Sequence, residues 1–215
     1  MIVAGVDEAG RGPVIGPMVM VGLKCSEEDE ERLRRMGVKD SKLLSPLQRE
    51  RLYEQLIEHF EYELIILTPK EIDEALAHPD LNLNWLEALT TAKLLNLLNA
   101  DKAYVDCPSN NVEAYTAYLK KHLEVKTIIV CEHGADKTYP VASAASIIAK
   151  VTRDKAIRDV EKRIGQRVGS GYPSDPVTVQ FLKENWNKHK EIFRTSWASY
   201  KNIAQKHAQK GLEDF

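Results

Sequence analysis

The sequence predicts an α/β protein, and three features of its 215 residues support that class. Short apolar runs of strand length alternate with longer segments in which apolar residues recur at helical spacing. Several of the longer segments begin with a serine or threonine and carry an acidic or amide side chain three residues later, a typical helix-capping signal. Stretches rich in glycine and proline separate these elements, and no repeat or low-complexity linker interrupts them.

Five strands are predicted from the short apolar runs. The first covers residues 1–7 and ends at Asp7. The second covers residues 18–23, after a loop rich in glycine and proline, and is expected to lie beside the first. The other three are expected over residues 62–67, 102–106 and 127–131.

Helices are predicted from capping signals and from helical periodicity. Three of them should begin near residues 27, 46 and 69, after Ser26, Ser45 and Thr68. Longer helices are expected over residues 84–98, 112–123 and 141–164, and the last is rich in alanine and isoleucine and therefore buried. The amphipathic, basic stretch 176–210 should form two or three further helices.

The composition is typical of a water-soluble globular protein, with 43% hydrophobic and 29% charged residues. The first residues lack the basic flank and cleavage site of a signal peptide, and no segment reaches the roughly 18 apolar residues of a membrane helix. The three cysteines, Cys25, Cys107 and Cys131, are too widely spaced for a disulfide framework or a zinc site. We therefore expect a cytoplasmic protein with reduced cysteines and no membrane contact.

The net charge of −2 conceals an uneven distribution along the chain. Residues 150–210 contain 14 Lys and Arg against 6 Asp and Glu, a net charge of +8, which leaves −10 for the rest. A basic C-terminal third beside an acidic remainder suits a protein that binds a polyanion near metal-binding carboxylates. Solvated helix faces would give the same distribution.

Carboxylates stand at the ends of two predicted strands. Asp7 and Glu8 close the first strand and Asp106 closes another, while Asp136 lies in a loop before the long helix. Ligands of open α/β sheets gather at the carboxyl ends of strands, so these side chains can meet there. Clustered carboxylates repel one another unless cations neutralise them, and oxygen ligands favour Mg²⁺ or Mn²⁺, two of which, about 3.5 to 4 Å apart, would hydrolyse a phosphodiester. Any one of these aspartates could instead be a helix cap or a surface residue.

The loop after the first strand combines three glycines with two prolines, so its backbone can approach a ligand closely while staying rigid. Arg11 lies between Gly10 and Gly12. Its guanidinium could bind a phosphate while backbone groups of the loop reach a sugar hydroxyl. A tight hairpin would have the same composition.

Six ordered blocks resemble the signature of the type 2 ribonucleases H, the ribonuclease HII family, in its archaeal form. They are DEAGRGPVIGPM at residues 7–18, VKDSKL at 38–43, YVD at 104–106, AD at 135–136, PVASAASIIAK at 140–150 and GSGYPSDP at 169–176. The blocks extend over most of the chain, which makes a chance resemblance a poor explanation.

The resemblance implies a ribonuclease H-like fold, in which helices flank a mixed central sheet and a helical C-terminal extension follows. It implies a catalytic domain over residues 1–168, an extension packed on it over residues 169–208, and a flexible tail over residues 209–215. The implied activity is hydrolysis of the RNA strand of RNA/DNA hybrids and cutting 5′ of ribonucleotides embedded in duplex DNA. The reaction would use two metals and leave 5′-phosphate and 3′-hydroxyl ends.

The resemblance also assigns site residues. The catalytic and metal-binding residues are Asp7, Glu8, Asp106 and Asp136. The nucleic-acid-binding residues are Gly10, Arg11, Gly12, Lys42, Ser143, Ser146, Lys150 and Tyr172. Among these, the loop from Gly10 to Gly12 reads the ribose 2′-hydroxyl, and Tyr172 packs on the sugar at the junction from RNA to DNA.

Helical spacing independently supports part of this assignment, because Ser143, Ser146 and Lys150 would share one helix face. Serines that bond back to helix carbonyls, beside a solvated lysine, would give the same pattern. The chain departs from the family at Gly134, where a basic residue is more frequent, and this affects a nearby phosphate or carboxylate contact rather than the metal ligand. His133 beside it is either a proton donor or a loop-filling side chain.

The last seven residues resemble the box by which proteins bind the sliding clamp PCNA. Gln209 is followed by Leu212 and Phe215, and the box departs from its full form by ending in a single aromatic. We expect the apolar side chains to occupy a pocket on the clamp while the segment becomes ordered. A frayed terminus is the alternative. Apart from the clamp, the protein is expected to be a monomer.

Two other functions are compatible with parts of the sequence. A ribonuclease H-like nuclease that acts on DNA alone, such as a resolvase or transposase, would share the carboxylates, but the Arg11 loop and Tyr172 favour a substrate that contains RNA. A non-catalytic nucleic-acid-binding module tethered to the clamp would have no use for four carboxylates, which repel phosphates. Activity with and without Mg²⁺ on a duplex that holds one ribonucleotide distinguishes these functions.

Overall fold

A computed structural model describes residues 1–38 and 44–213 of the chain, with backbone alone for residues 210–213. Two residues assigned to the site from the sequence, Lys42 and Phe215, lie outside the described residues, as does the side chain of Leu212. The roles assigned to these three residues stay predictions.

The strands within the described chain are β1 Ile2–Ala9, β2 Met18–Ser26, β3 Glu61–Leu67, β4 Lys102–Asp106 and β5 Ile128–Glu132. The helices are α1 Glu27–Arg35, α2 Pro46–His59, α3 Pro69–Ala77, α4 Leu83–Leu98, α5 Val112–Lys121, α6 Ala135–Thr138, α7 Pro140–Ile164, α8 Pro176–Asn185 and α9 Ala198–Glu213, with a short 3₁₀ helix, Lys190–Ile192, before the last. None of these helices combines the length and the apolar composition that crossing a membrane requires. Cys25, Cys107 and Cys131 are free.

The strands form one mixed sheet in the order β3-β2-β1-β4-β5. β1 runs antiparallel to β2, whereas β4 runs parallel to β1 and β5 parallel to β4. β1 extends beyond its predicted end at Asp7, because antiparallel pairing with β2 continues as far as Ala9, which pairs with Val19. The mixed central sheet expected from the sequence is confirmed.

Capping residues start the helices where the sequence predicts. Ser45 and Thr68 each accept a hydrogen bond from the backbone N–H three residues later, and the side chain of that residue bonds back to the cap. One prediction was wrong: Asp136, expected in a loop, lies in the single helical turn α6. The reason is that Gly134, with φ of 71°, turns the chain directly from β5 into that helix. At the C-terminus, α9 continues through Glu213, so the backbone of residues 209–213 is helical.

The described chain divides into two compact units. The first consists of residues 1–9, 19–66 and 82–152, and the second of residues 10–18, 67–81 and 153–215. The core of the second unit contains Ile15, Phe181 and Phe193. The domain boundaries expected from the sequence, at residues 168 and 208, stay predictions.

In the first unit, helices pack on both faces of the sheet. Consecutive residues of a strand point to opposite faces. Val3 and Leu23 belong to a core that includes residues of α1, α2 and α7, whereas Gly22 lies against Leu94 and Leu98 of α4. By the same alternation, Asp7 of β1 points to the α7 side and the following glutamate to the α4 side. Asp7 and Glu8 therefore face different helices.

Candidate active site

Three carboxylates meet at the carboxyl edge of the sheet. One carboxylate oxygen from each of Asp7, Asp106 and Asp136 lies within 4.8 Å of the other two. The register explains the first two, because Val6 pairs with Val105 and the next residue on each strand is the aspartate. Asp136 reaches this edge from α6, which follows β5. The structure thus brings together three of the four carboxylates that the sequence singles out.

Hydrogen bonds hold these aspartates in place. The Oδ1 atom of Asp106 accepts hydrogen bonds from the backbone N–H groups of Gly134 at 2.6 Å and Ala135 at 3.1 Å. The Oδ1 atom of Asp7 accepts one from the backbone N–H of the next residue at 2.7 Å. The backbone carbonyl of Asp136 accepts one from the hydroxyl of Ser143. The carboxylates of Asp7 and Asp106 and the backbone of Asp136 are thus fixed before any cation binds.

Burial raises the pKa of the Asp7 carboxyl from 3.8 to about 7. The hydrogen bond from Ser146 opposes this rise, and the negative charges of Asp106 and Asp136 add to it. Asp7 is 5% exposed and Asp136 is 3% exposed, so little water is available to stabilise their charges. A divalent cation would supply that stabilisation and displace the proton from Asp7. A donor set of carboxylate oxygens fits a hard cation of this kind.

The raised pKa of Asp7 predicts how stability changes with pH. The folded, metal-free protein holds the Asp7 proton up to about pH 7, whereas the unfolded chain releases it near pH 4. The free energy of unfolding should therefore fall as the pH rises through this window. At pH 8, Asp7→Asn should be more stable than the wild type by on the order of 2 kcal/mol, because it removes the buried charge.

Urea unfolding in EDTA at pH 5 and pH 8 measures this effect. The stability advantage of Asp7→Asn should be larger at pH 8 than at pH 5, and Mg²⁺ should stabilise the wild type more than the variant. The same difference at both pH values would contradict the account of Asp7.

Glu8 is the fourth carboxylate assigned from the sequence, and it is half-buried. It follows Asp7 on β1 and therefore points to the opposite face of the sheet. Burial raises the pKa of the Tyr115 hydroxyl, and the charges of Glu87 and Glu8 raise it further, which places Glu8 within electrostatic reach of α5. Glu8 is not one of the three converging carboxylates among the described residues. Its role as a metal ligand stays a prediction.

The polar face of α7 points toward the carboxylates. Ser143 and Ser146 are both buried, and their hydroxyls bond to the backbone of Asp136 and to the side chain of Asp7, respectively. Lys150 is half-buried. The two serines therefore help to position carboxylates, while contact of these three residues with nucleic acid stays a prediction.

His133 and Gly134 each make a local hydrogen bond. The Nδ1 atom of His133 lies 2.9 Å from the carbonyl oxygen of Cys107, within hydrogen-bonding distance, which favours the loop-filling interpretation. The backbone N–H of Gly134 binds Asp106, so this position contacts the group of converging carboxylates without a basic side chain.

A buried arginine fixes the loop that contains Gly10, Arg11 and Gly12. The guanidinium of Arg194 donates hydrogen bonds to the carbonyl oxygens of Gly10 and of Arg11, the latter at 2.9 Å. The indole N–H of Trp197 donates to the carbonyl oxygen of Gly12 at 3.1 Å. All these residues belong to the second unit. The loop is therefore a rigid element rather than a free surface turn.

Tyr172 lies beside the same loop, and it is 38% exposed. A Cβ atom added to Gly12 would lie 3.4 Å from Cε1 of the Tyr172 ring. The guanidinium carbon of the buried Arg153 is 5.5 Å from the ring centroid. An exposed ring next to a fixed backbone loop can stack on a sugar or a base.

Sequence reasoning does not single out Arg153 or Arg194. Arg153 has a signal in the sequence, because it continues the helical spacing of Ser143, Ser146 and Lys150 along α7. Arg194 has none, because it is one basic residue in a basic stretch and its burial follows from tertiary packing. Of the proposed clamp-binding residues, Gln209 is exposed on α9.

The family model of ribonuclease HII matches residues 4–200 of this chain. Among curated relatives, the ribonuclease HII of Methanocella arvoryzae is 46% identical over 198 residues, which cover 91% of this chain and 88% of that protein. The similarity therefore extends over both units.

Two solved structures are similar in fold and sequence. The ribonuclease H2 of Pyrococcus horikoshii OT3 gives a TM-score of 0.87 at 42% identity, covering 96% of this chain and 98% of that one. A chain of the PCNA:RNase HII complex from Archaeoglobus fulgidus gives a TM-score of 0.82 at 40% identity, covering 92% and 95%. Both fold and sequence are thus shared over nearly the whole chain.

Proposed function

This chain belongs to the ribonuclease HII family, and we propose how its own residues carry out the reaction of that family. The family cleaves the RNA of RNA/DNA hybrids and cuts at ribonucleotides in DNA, and this chain is a ribonuclease of that kind. The observation that carries the proposed mechanism is the group of three converging carboxylates at the ends of β1 and β4 and in α6. A nuclease acting on DNA alone and a non-catalytic binding module are not favoured.

Asp7, Asp106 and Asp136 would hold divalent cations, with Glu8 as the fourth ligand. The family is metal-dependent, and the all-oxygen donor set suits Mg²⁺ or Mn²⁺ in a two-metal site. When bound, such cations lower the pKa of an attacking water and neutralise charge on the phosphate.

The protein's contribution is to keep the carboxylate oxygens converged against their mutual repulsion. The amides of Gly134 and Ala135 hold the carboxylate of Asp106. The hydroxyl of Ser146 binds the side chain of Asp7, and that of Ser143 binds the backbone of Asp136. A site fixed in this way needs little reorganisation when the phosphodiester binds. Hydrolysis then leaves a 5′-phosphate on the ribonucleotide and a 3′-hydroxyl on the strand before it.

The loop from Gly10 to Gly12 recognises the ribose. Hydrogen bonds inside the protein hold its three carbonyl oxygens in place, and the fixed loop offers its amide N–H groups as donors to the oxygen of a 2′-hydroxyl. Arg11 binds a neighbouring phosphate. Tyr172 packs on the sugar at the junction, and Lys42, Ser143, Ser146 and Lys150 line the path of the nucleic acid.

Three duplexes of the same sequence test this function: all DNA, DNA with one ribonucleotide, and a continuous RNA/DNA hybrid. In Mg²⁺ the protein should cut the last two, and the cut in the second should fall 5′ of the ribonucleotide. Comparable cutting of the all-DNA duplex would identify a DNA nuclease. Binding of all three duplexes without cutting would identify a binding module.

The C-terminal residues Gln209, Leu212 and Phe215 form a ligand for the sliding clamp. The support is the sequence pattern, together with the A. fulgidus structure in which an RNase HII of the same fold is in complex with PCNA. A short segment with few apolar anchors should bind with micromolar affinity, roughly −8 kcal/mol. The monomeric state and the cytoplasmic location expected from the sequence accompany this proposal as predictions.

Leu212→Ala combined with Phe215→Ala should abolish detectable clamp binding, because truncating an anchor in such an interface commonly costs about 2 kcal/mol or more. Cleavage of a short duplex should be unchanged, since these residues lie beyond the matched catalytic blocks. Calorimetric titration of both proteins against the clamp from the same organism measures the effect. Identical isotherms, or no heat from either protein, would contradict the proposal.

A further inference from the structure

A buried arginine in α7 contacts both elements that recognise the ribonucleotide. Arg153 is only 2% exposed, so its side chain is not available for direct contact with nucleic acid. Its Nη2 atom donates a hydrogen bond to the carbonyl oxygen of Ser170 at 2.6 Å, two residues before Tyr172. Its guanidinium carbon is 5.5 Å from the centroid of the Tyr172 ring. All of these residues belong to the second unit.

The stem of the same side chain packs against the loop. A Cβ atom added to Gly10 would lie 3.2 Å from Cγ and 3.4 Å from Nε of Arg153. A Cβ atom added to Gly171 would lie 2.7 Å from Nη2. The stem of Arg153 therefore lies beside Gly10, and its guanidinium binds the segment that carries Tyr172.

Ion pairing does not explain why a charge is buried here. The Nη1 atom of Arg153 lies 3.8 Å from a carboxylate oxygen of Asp154, a long contact, and within the described residues its Nε atom has no hydrogen-bond partner. Desolvation lowers the pKa of this guanidinium, yet arginine stays charged in proteins. Burying a charge with few partners costs folding free energy. An arginine buried at this cost, between the Gly10 loop and Tyr172, points to a functional contribution.

We propose that Arg153 is a positioning residue that couples the Gly10 loop to Tyr172, and that this coupling sets the preference for RNA-to-DNA junctions over continuous RNA/DNA hybrids. The inference rests on the proposed role of Tyr172 at the junction. A guanidinium near an aromatic face attracts the ring, and the bond to Ser170 fixes the chain that carries it. The ring then has a defined distance from the loop that reads the 2′-hydroxyl.

The test measures kcat/KM on two duplexes, DNA with one ribonucleotide and a continuous hybrid, for Arg153→Met, Tyr172→Ala and the double variant. Methionine keeps an apolar stem and removes the charge and the donors. Arg153→Met should lower the junction rate about tenfold more than the hybrid rate. In the Tyr172→Ala background it should not change the preference further, because the two residues act through one contact.

Two further variants separate positioning from folding. Arg153→Lys keeps the charge without the planar donors and should restore part of the preference for junctions. If Arg153→Met fails to fold, Arg153→Lys is compared with the wild type in its place. Arg163→Met removes a charge from the same helix at a side chain that is 61% exposed, and it should change neither rate. Circular dichroism checks the fold of each variant.

Equal losses on both duplexes, or additive effects of Arg153→Met and Tyr172→Ala on the preference, would overturn the inference and leave the proposed function intact. Failure of the wild type to cut either duplex would overturn the proposed function and the inference with it.

Discussion

Asp136→Asn should lower kcat by at least about a thousandfold while the fold is retained. Asparagine keeps the size of the side chain, and the hydrogen bond from Ser143 to the backbone carbonyl of residue 136 does not depend on the carboxylate. The substitution removes a charged oxygen from the group of three, so cation binding weakens where the phosphodiester must be hydrolysed. Steady-state cleavage of a duplex with one ribonucleotide measures the loss, and calorimetric titration with Mg²⁺ measures the weaker binding.

Asp159→Asn is the matched control. Asp159 also lies on a helix after the sheet, but its side chain is 74% exposed on α7 and forms a 3.8 Å ion pair with Lys162. An exposed pair of this kind contributes little, so activity and metal binding should be unchanged. Wild-type turnover by Asp136→Asn would show that the carboxylate group is not the catalytic site.

Gly10→Ala should lower kcat/KM by about a hundredfold although every carboxylate and Arg11 remain, because a misplacement of about 1 Å can cost this much. Gly10 has φ of +86°, and an added Cβ atom would lie 2.6 Å from the carbonyl oxygen of Pro17. The loop backbone must therefore shift, and its amides move away from the 2′-hydroxyl that they bind in the proposed mechanism. The all-DNA duplex should remain uncut.

Gly165→Ala separates this shift from general backbone strain. Gly165 also has positive φ, +72°, but an added Cβ atom would meet no described atom within 4 Å. This variant should lose stability by about 1 kcal/mol and keep its activity. Wild-type activity in Gly10→Ala would contradict the role of the loop, and equal losses of activity in both variants would reduce it to a folding effect.

Local chemistry explains why much of the fold could be predicted from the sequence. The reciprocal capping hydrogen bonds at Ser45 and Thr68 fix where two helices begin. Each pair of bonds lies within four consecutive residues, so the sequence is enough to locate these helix starts. Asp7 and Asp106 could be placed together because each follows an apolar strand. The two strands pair in parallel, and the carboxyl ends of parallel strands lie at the same edge of the sheet.

The parts that could not be predicted depend on tertiary contacts. α6 forms where Gly134 turns the chain, and it has only four residues. Such a short helix shows no helical periodicity in the sequence, so it could not be predicted. Arg194 binds carbonyls nearly the whole length of the chain away, at Gly10 and Arg11, and no local pattern marks it. The convergence of Asp7 with Ser146 likewise requires the packing of α7 on the sheet.

The most direct test of metal-dependent hydrolysis at a ribonucleotide is to map the cut and the product ends on a duplex that contains one ribonucleotide. The wild-type protein is first incubated in excess EDTA, and Mg²⁺ or Mn²⁺ is then added. We expect no product in EDTA and, after metal addition, a cut 5′ of the ribonucleotide with 5′-phosphate and 3′-hydroxyl ends. Cleavage in EDTA, or a cut 3′ of the ribonucleotide that leaves a cyclic phosphate through attack by its own 2′-hydroxyl, would contradict this expectation.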